Sequence, residues 1–571
     1  MKKFKLIKLF LFLSFALLIF LRFYKLDSLI SPYWEEVAIG YDAYSVAKTS
    51  KDHHGNFLPI VAFESFGDFK PGLYFYLVVP IIKLISLNVL AVRLPAAIAG
   101  LLIIFGNAFL VQNIWSLIKK KPKKSDEKIV FFIALFLTAL SSWAFIFSRA
   151  AWEVNLATAL VLWGVNFFVL FIKKETNKAK LVFMLLSVSS FLLSTYAYHG
   201  ARITAPLLGL SLIVFYFYQE IIIKKKKFKI FLQKNYIFLL SGLILAILGF
   251  YPIFKNLNSP LVQQRAREAS IFYDLEIIKE SNTLIEAAGG NTIAKIRYHR
   301  YLLFVREIIK NFFNHFNFNY LFVSGDNNPR HSVQAYGTFY ILDLILFFFA
   351  LIFLIKNFSL WSLFIVIYLV VGILPGAISK ASPHALRTLL AMPAFITLLT
   401  LGAWQLKQLL KGKLKFILIV FILAYFYCST NFFDFYFFDY PQLYQKEWQY
   451  GYQQLITRIE SINDGEIPIF ISREQGRPAM YYWFYTKSDP RQVQDWNNLA
   501  KKDQGEYLEY KNISFFDDFS AIDSNSGLIA ASPKKSADFI AKNSQLNYEL
   551  IDEIVTAGGE VLWQIYSFHL N

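Results

Sequence analysis

Long apolar runs alternate with short lysine blocks along the first 430 residues of this sequence. Runs such as IKLFLFLSFALLIFLRFY (7–24) and FILIVFILAYFYC (416–428) are nearly uncharged, as a helix crossing a hydrocarbon core must be. The first run lacks a small-residue cleavage site and reads as a retained anchor, with a cleaved signal peptide as the alternative. The lysine blocks MKKFKLIK (1–8), KKKPKKSDEK (119–128), KKETNKAK (173–180), KKKKFK (224–229) and KQLLKGKLK (407–415) mark cytoplasmic loops by the positive-inside rule. Two apolar segments, about 71–90 and 92–117, lie between the first run and the 119–128 block, and only one of them can cross if that block is to face inward. The 70–87 stretch KPGLYFYLVVPIIKLISL is interrupted by Pro71, Pro80 and Lys83, so it is expected to be an interfacial or re-entrant helix on the outer side. Further spans fall at about 129–147, 155–172, 181–195, 203–220, 236–255, 338–356, 359–376, 387–406 and 415–430. With 5–24 and 92–117 they make about eleven, the N-terminus inside and the C-terminus outside.

The pattern changes near residue 431. EIPIFIS, YKNISFF and GLIAAS read as short strands, GRPAMYYWFYTK and SADFIAKN as helices, and TAGGEVLWQIYSF as a closing hairpin or edge strand. The expectation is a mainly α, polytopic membrane protein. Residues 1–430 form a transmembrane domain with outer loops at 26–91 and 256–337, and residues 431–571 a small extracytoplasmic α/β domain for packing or acceptor recognition.

Composition agrees: of 571 residues 56% are hydrophobic and 60 are Phe, more than a soluble domain of this length carries. The net charge of +18 raises nucleic-acid binding, but the cations sit in blocks between apolar runs instead of on one basic face, so no nucleic-acid partner is expected. The single cysteine, Cys428, lies in an apolar run, which excludes an intramolecular disulfide.

The topology places every unusual polar cluster on the outer side. Glu35 and Glu36 stand together at the start of EEVAIGYDAYSVAKT, whose Val37, Tyr41, Tyr44 and Ala47 suggest an amphipathic interfacial helix. At a helix start the two carboxylates can diverge, one toward a reaction and one toward backbone N–H groups; an ordinary acidic cap is the plainer alternative. DHHG brings Asp52, His53 and His54, ligand types without a matched third ligand at recognisable spacing. FGDFKPG brings Asp68 and Lys70, the latter a phosphate partner or a snorkelling lysine. SRAAWEVN carries Arg149 and Glu153, which pair at i,i+4 if helical. YAYHGAR gives His199 and Arg202, GDNNPRHS gives Asp326, Arg330 and His331, and SPHALR gives His384 and Arg387. A lone His-x-x-Arg anchors an interface as readily as it binds a ligand. Four arginine-containing loops opposite a carboxylate-rich one suit a phosphate leaving group and a general base.

In their order, WEEVAIGYDAY, FKPGLYFYLVVP, AVRLPAAIAG with Arg93, and SRAAWEVN resemble motifs of the GT-C glycosyltransferases. The branch in question uses polyprenyl-phosphate sugars and contains the protein O-mannosyltransferases and the lipid A aminoarabinose transferase. DHHGNFLP, YAYHGARITAP, GDNNPRHS and SPHALRTLLAMP are similar to motifs of bacterial and archaeal members, and the likeness covers most of the chain to about residue 400. It implies an inverting transfer from a polyprenyl-phosphate sugar to a hydroxyl of a protein, lipid or cell-surface glycan at the outer face of the plasma membrane. Glu35, Glu36 and Glu153 would be catalytic. Lys70, Arg93, His199, Arg202, His384 and Arg387 would hold the donor phosphate, with Asp52, His53, Asp68, Arg149, Asp326, Arg330 and His331 as further site candidates. No cofactor is required; a divalent ion would at most sit weakly at Glu35 and Glu36. Two features depart from the family pattern: Glu35 replaces its leading Asp, and Gly72 replaces the second Pro of its Lys-Pro-Pro lead-in. The extra methylene moves the carboxylate by about 1.5 Å, one C–C bond, and displacements of that size cost about 10²-fold in rate. A non-catalytic binder or transporter of lipid-linked sugars is the rival reading.

Overall fold

The computed structural model describes residues 2–570 apart from 66–67, 120–121, 257, 260–262, 265–266, 269, 411, 464, 466, 498, 504, 519–521 and 523; of residues 2–8, 10–11, 68 and 413 it describes the backbone alone. The chain divides into two compact units. Unit 1 comprises Met1–Tyr24 and Ala96–Phe433, and unit 2 comprises Lys25–Pro95 and Asp434–Asn571.

Eight helices among the described residues are long and apolar enough to cross a membrane: Val89–Ile118, Glu153–Lys173, Asn177–Ala197, Ala201–Ile223, Phe228–Asn256, Leu360–Ala377, Leu389–Leu409 and Lys415–Phe438. The protein is therefore a multi-pass membrane protein. These helices account for eight of the eleven expected spans. The other three expected spans fall on the helices Lys2–Phe23, Lys124–Leu140 and Asp343–Lys356. The last two have 17 and 14 residues, a rise of about 25 Å and 21 Å. The Leu73–Ile85 helix carries Pro80 and has 13 residues, a rise of about 20 Å that is too short to cross.

Two buried arginines tie the ends of unit 1 helices to one another. Arg22 donates to the carbonyls of Thr138, Ala139 and Ala144 and to Ser148 Oγ, satisfying chain ends around residues 138–148. Arg149 donates in return to the carbonyls of Leu21 and Tyr24, at the end of the helix that carries Arg22. Both guanidinium groups lie over the Phe145 ring, at 5.4 and 5.6 Å. Helix ends leave carbonyls without partners, and where water is scarce arginine is the side chain with enough donors to satisfy several at once.

The stretch 256–337, expected as a loop, contains the helices Leu275–Ala287, Thr292–Arg297, Arg300–Asn314 and Phe318–Phe322. Arg300–Asn314 buries Leu303, Phe304 and Asn311 and packs on Leu360–Ala377.

In unit 2 the Trp34–Thr49 helix packs against Leu73–Ile85, Pro478–Thr486 and Pro490–Asn497. The amphipathic interfacial helix expected here is instead buried continuously from Glu36 to Ala43, because protein covers it on several sides. Gly40 makes the fit tight: a Cβ there would lie 2.6 Å from the Phe484 ring and 2.7 Å from Val92. The tail forms a six-stranded sheet in the order Glu509–Tyr510, Ile513–Phe516, Ile469–Ser472, Ser526–Ala531, Val561–Leu570, Leu546–Val555. Ile469–Ser472 runs parallel to both its neighbours and the remaining pairs are antiparallel. The three strands and two helices expected from the pattern are all present. Val561–Leu570 is the second strand of a hairpin, one place in from the edge.

Candidate functional site

The sequence builds a carboxylate site at the start of the Trp34–Thr49 helix. Glu36, three residues past Tyr33, accepts the Tyr33 backbone N–H, so it does cap the helix. It is also gripped by Arg93, whose Nε and Nη2 donate to its two oxygens at 2.8 and 2.7 Å. The other guanidinium hydrogens go to the carbonyls of Leu26, Ile30 and Ser31, so all five donors are used inside unit 2. This changes two expected roles. Arg93 has no donor left for a phosphate, and Glu36, with its side chain 1% exposed, has no face open to an acceptor.

Glu35 differs. Its side chain is 25% exposed and accepts the Tyr33 hydroxyl at 2.9 Å. Lys70 Nζ lies 2.8 Å from the same oxygen. The antiparallel pairing of strands Phe63–Ser65 and Asp68–Lys70 holds Lys70, which is itself almost wholly buried. Lys70 also lies 5.2 Å from the centre of the Trp34 ring, and the Arg477 guanidinium lies 3.9 Å from it. The tail fixes the start of this helix: Gln449 Oε1 accepts the Trp34 N–H and the Tyr481 hydroxyl, and Tyr481 also donates to the Pro32 carbonyl. Arg477, Gln449 and Tyr481 carry no recognisable motif, and the sequence shows GRPAMYYWFYTK only as a helix. The Asp68 side chain lies outside the described residues.

The DHHG stretch is a buried hydrogen-bonded turn. Asp52 accepts the backbone N–H groups of His54 and Asn56 and the Asn56 side-chain amide, which makes it the organiser of this turn. His53 Nδ1 sits 2.6 Å from Asp42 Oδ1, both side chains fully buried. Burial pushes the Asp42 carboxyl up to about 8 and the His53 imidazole down to about 4. His54 bonds Asn497 at 3.0 Å and stacks on Tyr507.

Unit 1 holds the remaining candidates. Arg149 and Glu153 do not share a helix, since the helix starts at Glu153. Arg149 is engaged with the carbonyls of Leu21 and Tyr24, and Glu153 is buried. Arg202 donates from Nε to the Thr195 carbonyl near the end of Asn177–Ala197, and His199 lies in the turn between the two helices. Arg330 closes on Asn328. Asp326, His331 and His384 converge, with ligand-type atoms within 4.8 Å of one another, and Arg387 follows three residues after His384. Burial opposes ionisation of Asp326, but its hydrogen bond to His331 and the histidines' charge outweigh it and hold the carboxyl at about 2. Burial, with His331 and Arg387 beside it, holds His384 well below the ordinary histidine value.

A bundle of apolar helices, a 13-residue helix that follows an acidic helix start, and a small α/β tail give the chain the same fold as several solved membrane-protein structures. A crystal structure of ArnT from Cupriavidus metallidurans bound to undecaprenyl phosphate matches 97% of this chain and 97% of its own, with a TM-score of 0.53 and 12% identity. The same enzyme in the apo state matches 98% of this chain and 97% of its own at 0.53 and 10% identity. A structure of the Archaeoglobus fulgidus oligosaccharyltransferase in complex with Zn and sulfate matches 96% of this chain and 72% of its own at 0.50 and 12% identity. At these identities the likeness establishes the fold. No protein-family model matches the chain, and no curated protein sequence does.

Proposed function

We propose that this protein is an inverting glycosyltransferase that moves a sugar from a polyprenyl-phosphate donor to a hydroxyl acceptor at the extracytoplasmic face of the plasma membrane. The observation that carries the reading is the Glu35–Lys70 pair: a partly exposed carboxylate held 2.8 Å from an ammonium, in a fold shared with a transferase crystallised on undecaprenyl phosphate. Glu35 takes the proton of the acceptor hydroxyl as its oxygen attacks the anomeric carbon. The bond from that carbon to the phosphate oxygen breaks on the opposite face, and polyprenyl phosphate leaves with the bonding electrons. Lys70, close to the carboxylate, meets charge on the departing phosphate. Glu36 and Arg93 act as the fixed support that sets where Glu35 stands. His199, Arg202 and Arg387 remain candidates for phosphate binding and Glu153 for acceptor orientation, each resting on its own substitution to alanine.

The test is transfer from a panel of radiolabelled polyprenyl-phosphate sugars in membranes, with the anomeric configuration of the product read by NMR. The reading expects transfer from at least one donor with inversion. Binding of donors without turnover by wild type and Glu35→Asp alike would favour the rival, a lipid-linked-sugar binder or carrier. Faster transfer by Glu35→Asp than by wild type would show that the extra methylene of Glu35 limits the rate.

A further inference from the structure

Asp326, His331 and His384 come together from two separate loops of unit 1, 323–342 and 378–388, and nothing in the transfer chemistry requires them to. Asp326 Oδ2 lies 3.3 Å from His331 Nδ1 and 3.5 Å from His384 Nδ1. Both separations are long for a charge-assisted hydrogen bond, which closes to about 2.7–2.9 Å. They match instead the edge of a tetrahedron: ligands at about 2.1 Å from a central ion stand about 3.4 Å apart. His384 Nδ1 is buried and has no hydrogen-bond partner among the described residues. A nitrogen without a partner there is costly unless something else takes its lone pair.

The surroundings hold the three groups in place. Asp326 accepts the Asn328 N–H on Oδ1 and the Ala385 N–H on Oδ2, and its own carbonyl accepts from Gln334. The His384 backbone N–H donates to His315 Nε2, and the two ligand rings lie 4.9 Å apart. His331 packs against Phe147 and Trp152. Outer-shell bonds to a ligating carboxylate and aromatic walls about the imidazoles are what fixes ligand orientation in metal sites. Two imidazoles and one carboxylate suit a first-row divalent ion such as Zn²⁺ and leave a fourth position for water.

We propose that Asp326, His331 and His384 form a site for a divalent transition metal that pins loop 323–342 to loop 378–388. The proposal does not rest on the transferase reading. The experiment uses the full chain in detergent with a purification tag free of histidine, stripped with chelator and reloaded with Zn²⁺ or Co²⁺. The expected result is one Zn²⁺ per chain after desalting, a higher melting temperature than the stripped protein, and the visible absorption of tetrahedral Co²⁺. His384→Ala and His331→Ala each lose a ligand and weaken Zn²⁺ binding by about 100-fold or more, with no Zn²⁺-dependent rise in melting temperature. If the stripped wild-type chain takes up neither metal, the proposal is overturned, whatever the variants do. It is equally overturned if the His331→Ala/His384→Ala double variant keeps its Zn²⁺.

Discussion

Glu35 and Glu36 are neighbours in sequence and opposites in environment, and the difference comes from what each meets. Glu36 is closed into a two-pronged ion pair with Arg93, whose remaining hydrogens serve three carbonyls. Removing one partner of such a buried pair costs about 3–5 kcal/mol, because the other is left uncompensated. Arg93→Ala is therefore expected to lower the denaturation midpoint sharply, and Glu35→Gln, which leaves the buried Lys70 ammonium without its carboxylate, to lower it less because Glu35 is itself partly exposed. Thermal melts of the two variants in one detergent check this, and equal losses would contradict it. The acidic pair was legible in the sequence because two carboxylates beside an apolar span are rare. The division of labour between them was not, because the carbonyls that occupy Arg93 come from the turn at 26–31, and no local pattern announces which guanidinium will meet them. Arg22 was passed over for a similar reason: in the last turn of an apolar run it looks like a flanking charge, yet it is fully buried.

At the scale of elements, the Trp34–Thr49 helix shows how burial on more than one side hides in a sequence. Its apolar positions fit a single-sided stripe, but Asp42 and Ser45 on the remaining surface are also buried, Asp42 Oδ1 bonded to His53 and Ser45 donating to the Lys51 carbonyl. Partners of this kind come from folded loops, so a periodicity count misses them. Two predictions belong here. Gly40→Ala forces Phe484 and Val92 apart and is expected to cost about 1–3 kcal/mol, visible as a lower melting temperature; an unchanged melt would contradict the tight packing. The second concerns pH. Folded Asp42 keeps its proton to about pH 8, whereas an unfolded aspartate releases it near 3.9, so the folded state holds the extra proton and this contribution to stability falls as pH rises toward 8. His53 is neutral down to about 4 but takes a proton near 6.5 when unfolded, so its contribution falls as pH drops from 6.5 to 4. The two slopes oppose each other below pH 6.5, and Asp42 acts alone above it. Asp42→Asn is expected to flatten the loss of melting temperature between pH 6.5 and 8; parallel wild-type and variant profiles would contradict the assignment.

At the scale of the whole molecule, the alternation of apolar runs and lysine blocks was enough to read a multi-pass bundle with an α/β tail, and the order of loose motifs was enough to suggest the GT-C fold. The expected spans at 129–147 and 338–356 lie on helices of 17 and 14 residues, shorter than the eight that are long and apolar enough to cross. Composition reports what a segment tolerates, while its length is set by where neighbours stop it. The grouping of residues 25–95 with the tail in one compact unit was also out of reach, since the two stretches are more than 300 residues apart. Within that unit, the account turns on Glu35 as the base for transfer from a polyprenyl-phosphate sugar. The direct measurement is single-turnover transfer in membranes by wild type and Glu35→Gln, using whichever donor the panel identifies, with the melting temperature confirming that the variant is folded. The account predicts a loss of about 10²-fold or more in rate, the size of a general-base contribution, with donor binding retained. Wild-type transfer rates in the folded Glu35→Gln protein would contradict it.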